Sequence, residues 1–429
     1  MSRITQDRPT AADGSEAAPR APQSGFAGRI ESLDQFRGYT VFGMFLVNFL
    51  GGLAAVHANF KHNNTFFSYA DSIMPSFMYV CGVSYRLTTL RRIEQVGTGA
   101  AYAHVIKRSL GLILISLAVF GFDGKFDSWS EMTSGGVFDF FAKLLKANLW
   151  ETLAIIGATQ ILLLPVVAAG WRVRVGAIVA CLVGHATITY LFNWDFVNGR
   201  PNFVSNFWGV EKARAWDGGF FGLLGWAVPM LLGTLTYDAL ARRGSRGAFP
   251  RLLAWGLLLM AVGYGISCLT RLYDTAPDAE GKYSAPEYAD SPVWLPLEKM
   301  SGRPWSDLLA EPPFVEPPHW SQRPINYWMM GKRMVGPSFT LFAGGFAMTL
   351  YGLFIVGVDL MGRRLDVFRI LGQNALAAYV LHHLIEHGML QIVPKDSPLW
   401  WVLTALVIFM TVSISFVAYL DRNKIHIKV

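Results

Sequence analysis

His62 and Asp71 stand nine residues apart, and an imidazole beside a carboxylate is the pairing in this chain best suited to moving a proton. The carboxylate holds one tautomer and raises the basicity of the other ring nitrogen, as acyl transfer to an amine or hydroxyl requires. A lone loop histidine is also commonly incidental, so spacing alone leaves both readings open. Upstream, SLDQFRGYTVFGMFLVNFLGG puts Asp34 and Arg37 three residues apart on one helical face. Asn48 follows roughly 16 Å farther along the same helix at ~1.5 Å per residue. An ion pair at a helix start and an interhelical amide hydrogen bond would account for these three residues equally well.

A second polar run is ILGQNALAAYVLHHLIEHGMLQIV. Asn374, Ala378, His382 and Glu386 recur every four residues and share one helix face, with Tyr379, His383 and His387 on the next. If this helix runs outward, His382, Glu386 and His387 reach the depth of His62 and Asp71, and the two clusters could line one cavity. HLIEH also matches H-x-x-E-H, a zinc-ligand arrangement, but no third-ligand segment accompanies it and no metal is expected. His185, beside Gly184 and without an acidic neighbour, reads as a buried, hydrogen-bonded histidine. The absence of G-x-S-x-G, G-x-x-x-x-G-K-[ST] and G-x-G-x-x-G motifs removes the common hydrolase, NTPase and dinucleotide readings.

What must position these residues is a membrane bundle. The 429 residues are 52% hydrophobic and only 16% charged, with a mean hydropathy of +0.34. Crossing a hydrocarbon core takes about 20 mostly apolar residues. Ten segments qualify: 38–56, 68–87, 105–122, 150–170, 175–194, 218–237, 252–270, 334–358, 368–392 and 397–420. The expected fold is therefore all-α and polytopic, a domain over 29–429 behind a Pro- and Ala-rich cytoplasmic tail at 1–28. Ionisable side chains at membrane depth cost about 2.5–3.5 kcal/mol each, which makes every one of them a functional candidate.

The net charge of +7 follows topology rather than nucleic acid. Arg86 through Arg108, Arg172, Arg174, Arg242 through Arg251, Arg363 through Arg369 and Arg422 onward fall between spans on one side, so the positive-inside rule places both termini in the cytoplasm. Outer segments are 123–149, 195–217 and a long loop at 271–333. That loop carries Trp294, Trp305, Trp320 and Trp328 among many prolines, suited either to an interfacial aromatic belt or to stacking on sugar rings. Cys81, Cys181 and Cys268 lie in apolar runs and read as small buried hydrophobes. The location implied is a cell inner membrane crossed many times, with the lipid bilayer as a partner and a homodimer compatible with such a bundle.

From Leu33 to Gly82 the chain resembles the heparan-alpha-glucosaminide N-acetyltransferase family. Asp34, Phe36, Arg37, Gly38, Val47, Asn48, Gly51 and Gly52 match its opening pattern, and His62, Ala70, Asp71, Pro75 and Gly82 match the catalytic histidine and the helix after it. SFTLFAGGFA at 338–347, then Gly372, Asn374, Tyr379, His382 and Glu386, and the closing YLDRNKIHIKV are similar as well. Two departures concern the acceptor side: a longer stretch between Asn48 and His62, and NNTFFSY where Trp-Asn-Gly is usual.

The resemblance implies cytoplasmic acetyl-CoA as co-substrate and an amino-sugar or other glycan acceptor on the far side. It makes His62 the base or acetyl carrier, with Asp71 orienting the ring and Asn48 on the acyl oxygen. Asp34, Arg37 and Asn374 are then expected toward the cofactor, and Tyr379, His382 and Glu386 toward the acceptor. Arg37, Arg86, Arg91, Arg92, Lys107 and Arg108 are candidates for the CoA phosphates, or simply topology signals. Two other functions stand beside this one. An O-acyltransferase of the acyltransferase-3 type also begins with an LD-x-x-RG helix, but with histidine where Asn48 stands; a transporter or lipid-linked sugar flippase would use midplane polar residues without chemistry.

Overall fold

Apolar runs punctuated by glycine and proline fold into thirteen α-helices in the computed structural model, which describes residues 30–120, 126, 128–208 and 212–425. They are α1 (Glu31–Gly51), α2 (Tyr69–Val96), α3 (Thr98–Phe120), α4 (Ser134–Lys143), α5 (Thr152–Val167), α6 (Trp171–Ile188), α7 (Trp194–Asn198), α8 (Phe203–Trp208), α9 (Leu223–Ser267), α10 (Pro337–Phe354), α11 (Asp366–Gln373), α12 (Ala375–Leu390) and α13 (Leu399–Arg422). Among the described residues there is no strand, only an isolated bridge between Tyr288 and Ile325. The tail expected at 1–28 lies outside the described residues.

Each apolar segment expected from the sequence falls on a helix, two of them on α9, which breaks at Gly244 with φ 63°. A non-glycine residue would be strained there. The segment 368–392 is two helices, α11 and α12, meeting at Asn374. By length and apolarity alone five helices are able to cross a membrane, or six when the bent pair Ser134–Asn148 and Thr152–Val167 counts as one. The protein is thus a multi-pass, all-helical membrane protein. α1 and α2 are not in that set, and they carry Asp34, Arg37, Asn48 and Asp71.

Two glycine crossings fix these helices. A Cβ on Gly38 would strike the backbone of Phe368, and one on Gly372 would strike Asp34 O, so α1 and α11 touch backbone to backbone. Gly82 and Gly233 do the same for α2 and α9, against Met230 O and Tyr79 O. Close approach through small residues is how helices associate where lipid removes the hydrophobic drive. A third tie is buried: Asp238 on α9 accepts from Arg86 Nε on α2 at 2.6 Å and from the Arg174 guanidinium on α6, while Arg86 also donates to Val167 O. Arg86 is therefore spent inside the bundle rather than offered to a ligand.

The long connection from Asp274 to Gly336 folds over the His62 end. Its hub is Arg323, 1% exposed, which donates to Asp274 Oδ1 at 2.5 Å and to Glu311 Oε2 at 2.5 Å. The Phe314 amide donates to Phe67 O at 2.8 Å and Asn59 Nδ2 to Phe314 O at 3.0 Å, which fastens this cap to the turn bearing His62. His185 donates to or accepts from Tyr327 OH at 2.9 Å, the structural role its sequence setting suggests.

Candidate active site

Ser68 caps α2 by accepting from the Asp71 amide at 3.2 Å, and in return its hydroxyl donates to Asp71 Oδ2 at 2.7 Å. This reciprocal Ser-x-x-Asp cap buries the Asp71 carboxylate fully in the first helical turn, where the positive end of the helix favours it. The same carboxylate accepts from the Asn63 amide at 3.1 Å and faces His62 Nδ1 at 3.0 Å. An ionised carboxylate only accepts, so Nδ1 carries the proton and the Nε2 lone pair is left for other work. His62 Nε2 has no partner among the described residues, and the ring, 39% exposed, lines a cavity of about 290 Å³.

Asn48 lines that cavity too. Its Nδ2 lies 3.0 Å from His382 Nε2, and His382 Nδ1 lies 3.3 Å from Ala378 O. Because a carbonyl only accepts, Nδ1 is the protonated nitrogen and Asn48 donates to Nε2. His382 is fully buried and stacked on Phe45 with centroids 5.1 Å apart, so it positions Asn48 without reaching the cavity itself. His383 and Tyr379 line the cavity; Glu386 sits behind His383, 3.5 Å from its Nδ1. Ligand atoms of His382, His383 and Glu386 lie within 4.8 Å of one another. The trio is not the His383, Glu386, His387 set of the HLIEH match, and His382 already has both ring nitrogens engaged.

A second cavity, of about 660 Å³, lies beside the first. Phe77, Thr152 and Tyr379 line both, so the His62 cavity and the Arg37 cavity are neighbours that meet at these three side chains. Arg37, Asp34, Arg91 and Arg108 line this larger cavity, and a side chamber of about 230 Å³ extends it past Arg92 and His104. Arg37 is held by donating to Ser84 Oγ at 2.7 Å and to Gly372 O at 3.4 Å. A helix-lined pocket of several hundred Å³ is of the size that takes a cofactor, and one ringed by guanidiniums suits phosphate oxygens.

Asn374 is not in this lining. It is buried and donates to Ile370 O and to Asp421 Oδ1 at 3.2 Å, which joins α12 to the end of α13. None of Trp294, Trp305, Trp320 and Trp328 reaches either cavity; the indole that lines the His62 cavity is Trp216. Sequence reasoning also missed Asp217, Glu151, Lys332 and Arg333 there. Lys332 Nζ is 3.0 Å from Asp217 Oδ1. Burial alone would lower this ammonium, but the carboxylates of Asp217 and Asp71 outweigh it and hold it above its usual range. Arg333 is pushed the other way, by burial and by Arg214 nearby. The only sequence signal for these residues was polar composition beside an apolar span, which marks many loop ends.

A family described as heparan-alpha-glucosaminide N-acetyltransferase, catalytic, matches residues 29–263, more than half of the 429-residue chain. His62, Asp71, Asn48, Asp34 and Arg37 fall inside the matched stretch, whereas Asn374, Tyr379, His382 and Glu386 lie beyond it. Comparison with curated proteins finds no match.

Proposed function

The chain belongs to the heparan-alpha-glucosaminide N-acetyltransferase family, and on that premise we propose that it carries acetyl from acetyl-CoA, bound at the cytoplasmic face of an inner membrane, to an amino-sugar acceptor on the opposite face. The single observation that supports this reading is adjacency: the arginine-lined cavity and the His62 cavity share Phe77, Thr152 and Tyr379. Both termini are then cytoplasmic. The CoA phosphates pair with Arg37, Arg91, Arg92 and Arg108, and the pantetheine arm lies along the helix faces toward Tyr379.

His62 Nε2 serves in either of two ways. As a base it removes a proton from the acceptor ammonium, so that the free amine attacks the thioester and CoA leaves as thiol. As a nucleophile it takes the acetyl group itself, releases CoA, and yields the acetyl to the amine. In both, Asp71 keeps Nδ1 protonated and steadies the imidazolium or acyl-imidazole that forms. The second N–H of Asn48 is available to the acyl oxygen, where charge develops.

The test is transfer of labelled acetyl from acetyl-CoA to glucosamine in proteoliposomes. His62→Ala should lose transfer by about 10²–10⁴-fold, the range for a positioned proton carrier, with insertion and melting unchanged. A fully active variant would remove the assignment, and acceptor movement without acetylated product would favour a transporter.

A further inference from the structure

An ammonium that becomes an amide loses two protons from one nitrogen, whereas His62 Nε2 offers a single lone pair. On the base route that lone pair takes one proton, and on the carrier route it holds the acetyl group as the amine attacks. A second proton acceptor facing the same cavity therefore has a task on both routes.

Glu151 has the chemistry and the place. It is an exposed residue that lines the His62 cavity, and the next residue, Thr152, lines both cavities. The carboxylate thus stands beside the wall that the His62 cavity shares with the arginine-lined one, where a thioester would come within reach of His62. Asp217, the other carboxylate among the described residues of that lining, is paired with Lys332 at 3.0 Å. Asp71 holds His62 Nδ1 and does not line the cavity.

The local backbone serves this placement. Residues 149–151 are the break between two helical arms, Ser134–Asn148 and Thr152–Val167, set at 86° to each other. Irregular backbone at membrane depth is kept where it lines a cavity, and an ionisable side chain there is a functional candidate. Glu151 occupies the cap position of α5, yet its side chain makes no capping bond. Other groups hold the turn: the Glu151 amide donates to Leu149 O at 2.9 Å, Trp150 Nε1 donates to Leu145 O at 2.6 Å, and the Trp150 ring meets Phe220 edge-on at 5.5 Å.

We propose that Glu151 is a second catalytic group of the His62 cavity, which receives the acceptor's ammonium and takes its first proton. This rests on the acetyltransferase reading above. One N–H bond breaks toward a Glu151 oxygen, and the freed lone pair forms the N–C bond to the acetyl carbon. The C–S bond of the thioester, or the C–Nε2 bond of acetylated His62, then breaks with its electron pair going to sulfur or to Nε2. The second proton passes from the nitrogen to His62 Nε2, and on the base route from there to the CoA thiolate. Glu151 returns its proton to water.

The experiment measures kcat/KM for glucosamine, with acetyl-CoA, at pH 7 and pH 9 for the full chain in proteoliposomes, as wild type, Glu151→Gln and Glu151→Asp. A sugar ammonium that titrates near 8, like an α-amino group, is about one-tenth free amine at pH 7 and mostly free at pH 9. Wild type takes the charged form and should stay nearly level over this range. Glu151→Gln has to await the free amine, so its value should lie about tenfold or more below wild type at pH 7 and regain about tenfold by pH 9. Glu151→Asp, with the charge on a shorter arm, should fall between them. Because each enzyme is compared with itself at two pH values, the amount of folded protein cancels. A glutamine variant that matches wild type, or loses the same factor at both pH values, would overturn the role of Glu151 and leave the acetyltransferase standing, as would a wild type that itself rises as steeply. No acetylated product from wild type at either pH would overturn both.

Discussion

The arginine-lined cavity and the His62 cavity share helix faces but differ in the rest of their walls. The first is walled by the interior faces of α1, α2, α3, α5 and the α11–α12 junction, held at glycine crossings. The second has one wall of helix faces, with Asn48 of α1, Phe77 of α2 and His383 of α12, and another of helix starts and connections: His62 and Asn63 before α2, Glu151 and Thr152 at the start of α5, Trp216 and Asp217 ahead of α9, and Lys332 and Arg333 ahead of α10. A cavity of helix faces is rigid and suits a large constant ligand. A wall made of chain ends can change its lining without disturbing the bundle, which is where a family would vary its acceptor.

The comparison breaks first at Asp71. Asp71→Ala leaves His62 without the group that holds its tautomer, and transfer should fall by about 10²–10³-fold while acetyl-CoA binding at the arginine cavity is unchanged in titration. Retained activity would move the chemistry away from the His62 cavity. Next in size is Lys332→Met, which strands the Asp217 carboxylate in a mostly buried place. Removing one partner of such a pair costs about 3–5 kcal/mol, seen as a lower melting temperature that Lys332→Met with Asp217→Leu should largely recover. If the double variant is no better than the single, Lys332 is not there for Asp217. At the other cavity, Arg108→Gln should raise KM for acetyl-CoA by about tenfold, the loss of one charge-assisted phosphate contact, with kcat little changed. An effect on kcat alone would place Arg108 outside the cofactor site.

The same contrast governs what the sequence disclosed. Helical period places Asp34 with Arg37 and separates Tyr379 from His382, so most of the arginine cavity was legible once the spans were found. Period also placed Asn374 and Glu386 on plausible faces, yet could not tell which neighbour each face meets: Asn374 meets Asp421, and Glu386 meets His383. Asp71 was legible because His62 lies only nine residues ahead of it in the chain and the resemblance covers both. Lys332 was not, since its partner Asp217 lies in a different connection and only the folding of the Asp274–Gly336 cap brings them together. Arg86 looked like a phosphate ligand by position and charge, because nothing local announces Asp238 on α9 as its partner.

The smallest effect tests whether the cap acts on one cavity alone. Burial by itself would raise the Glu311 carboxyl, but hydrogen bonds and charge from Arg323 outweigh it and hold it below the usual carboxylate range. A group whose folded pKa is depressed adds stability above its unfolded value, near 4.3, and loses it as pH falls through the folded value. Wild type should therefore melt higher than Glu311→Gln at pH 6 by the equivalent of about 1 kcal/mol, at the low end for a partly exposed charged hydrogen bond, and the gap should close below about pH 4. Because the cap is fastened to the His62 turn through Phe314 and Asn59, KM for the acceptor should rise in the variant while acetyl-CoA titration does not move. Equal losses at both cavities would mean that cap and bundle open as one cooperative unit, and chain ends would then be no freer to vary than helix faces.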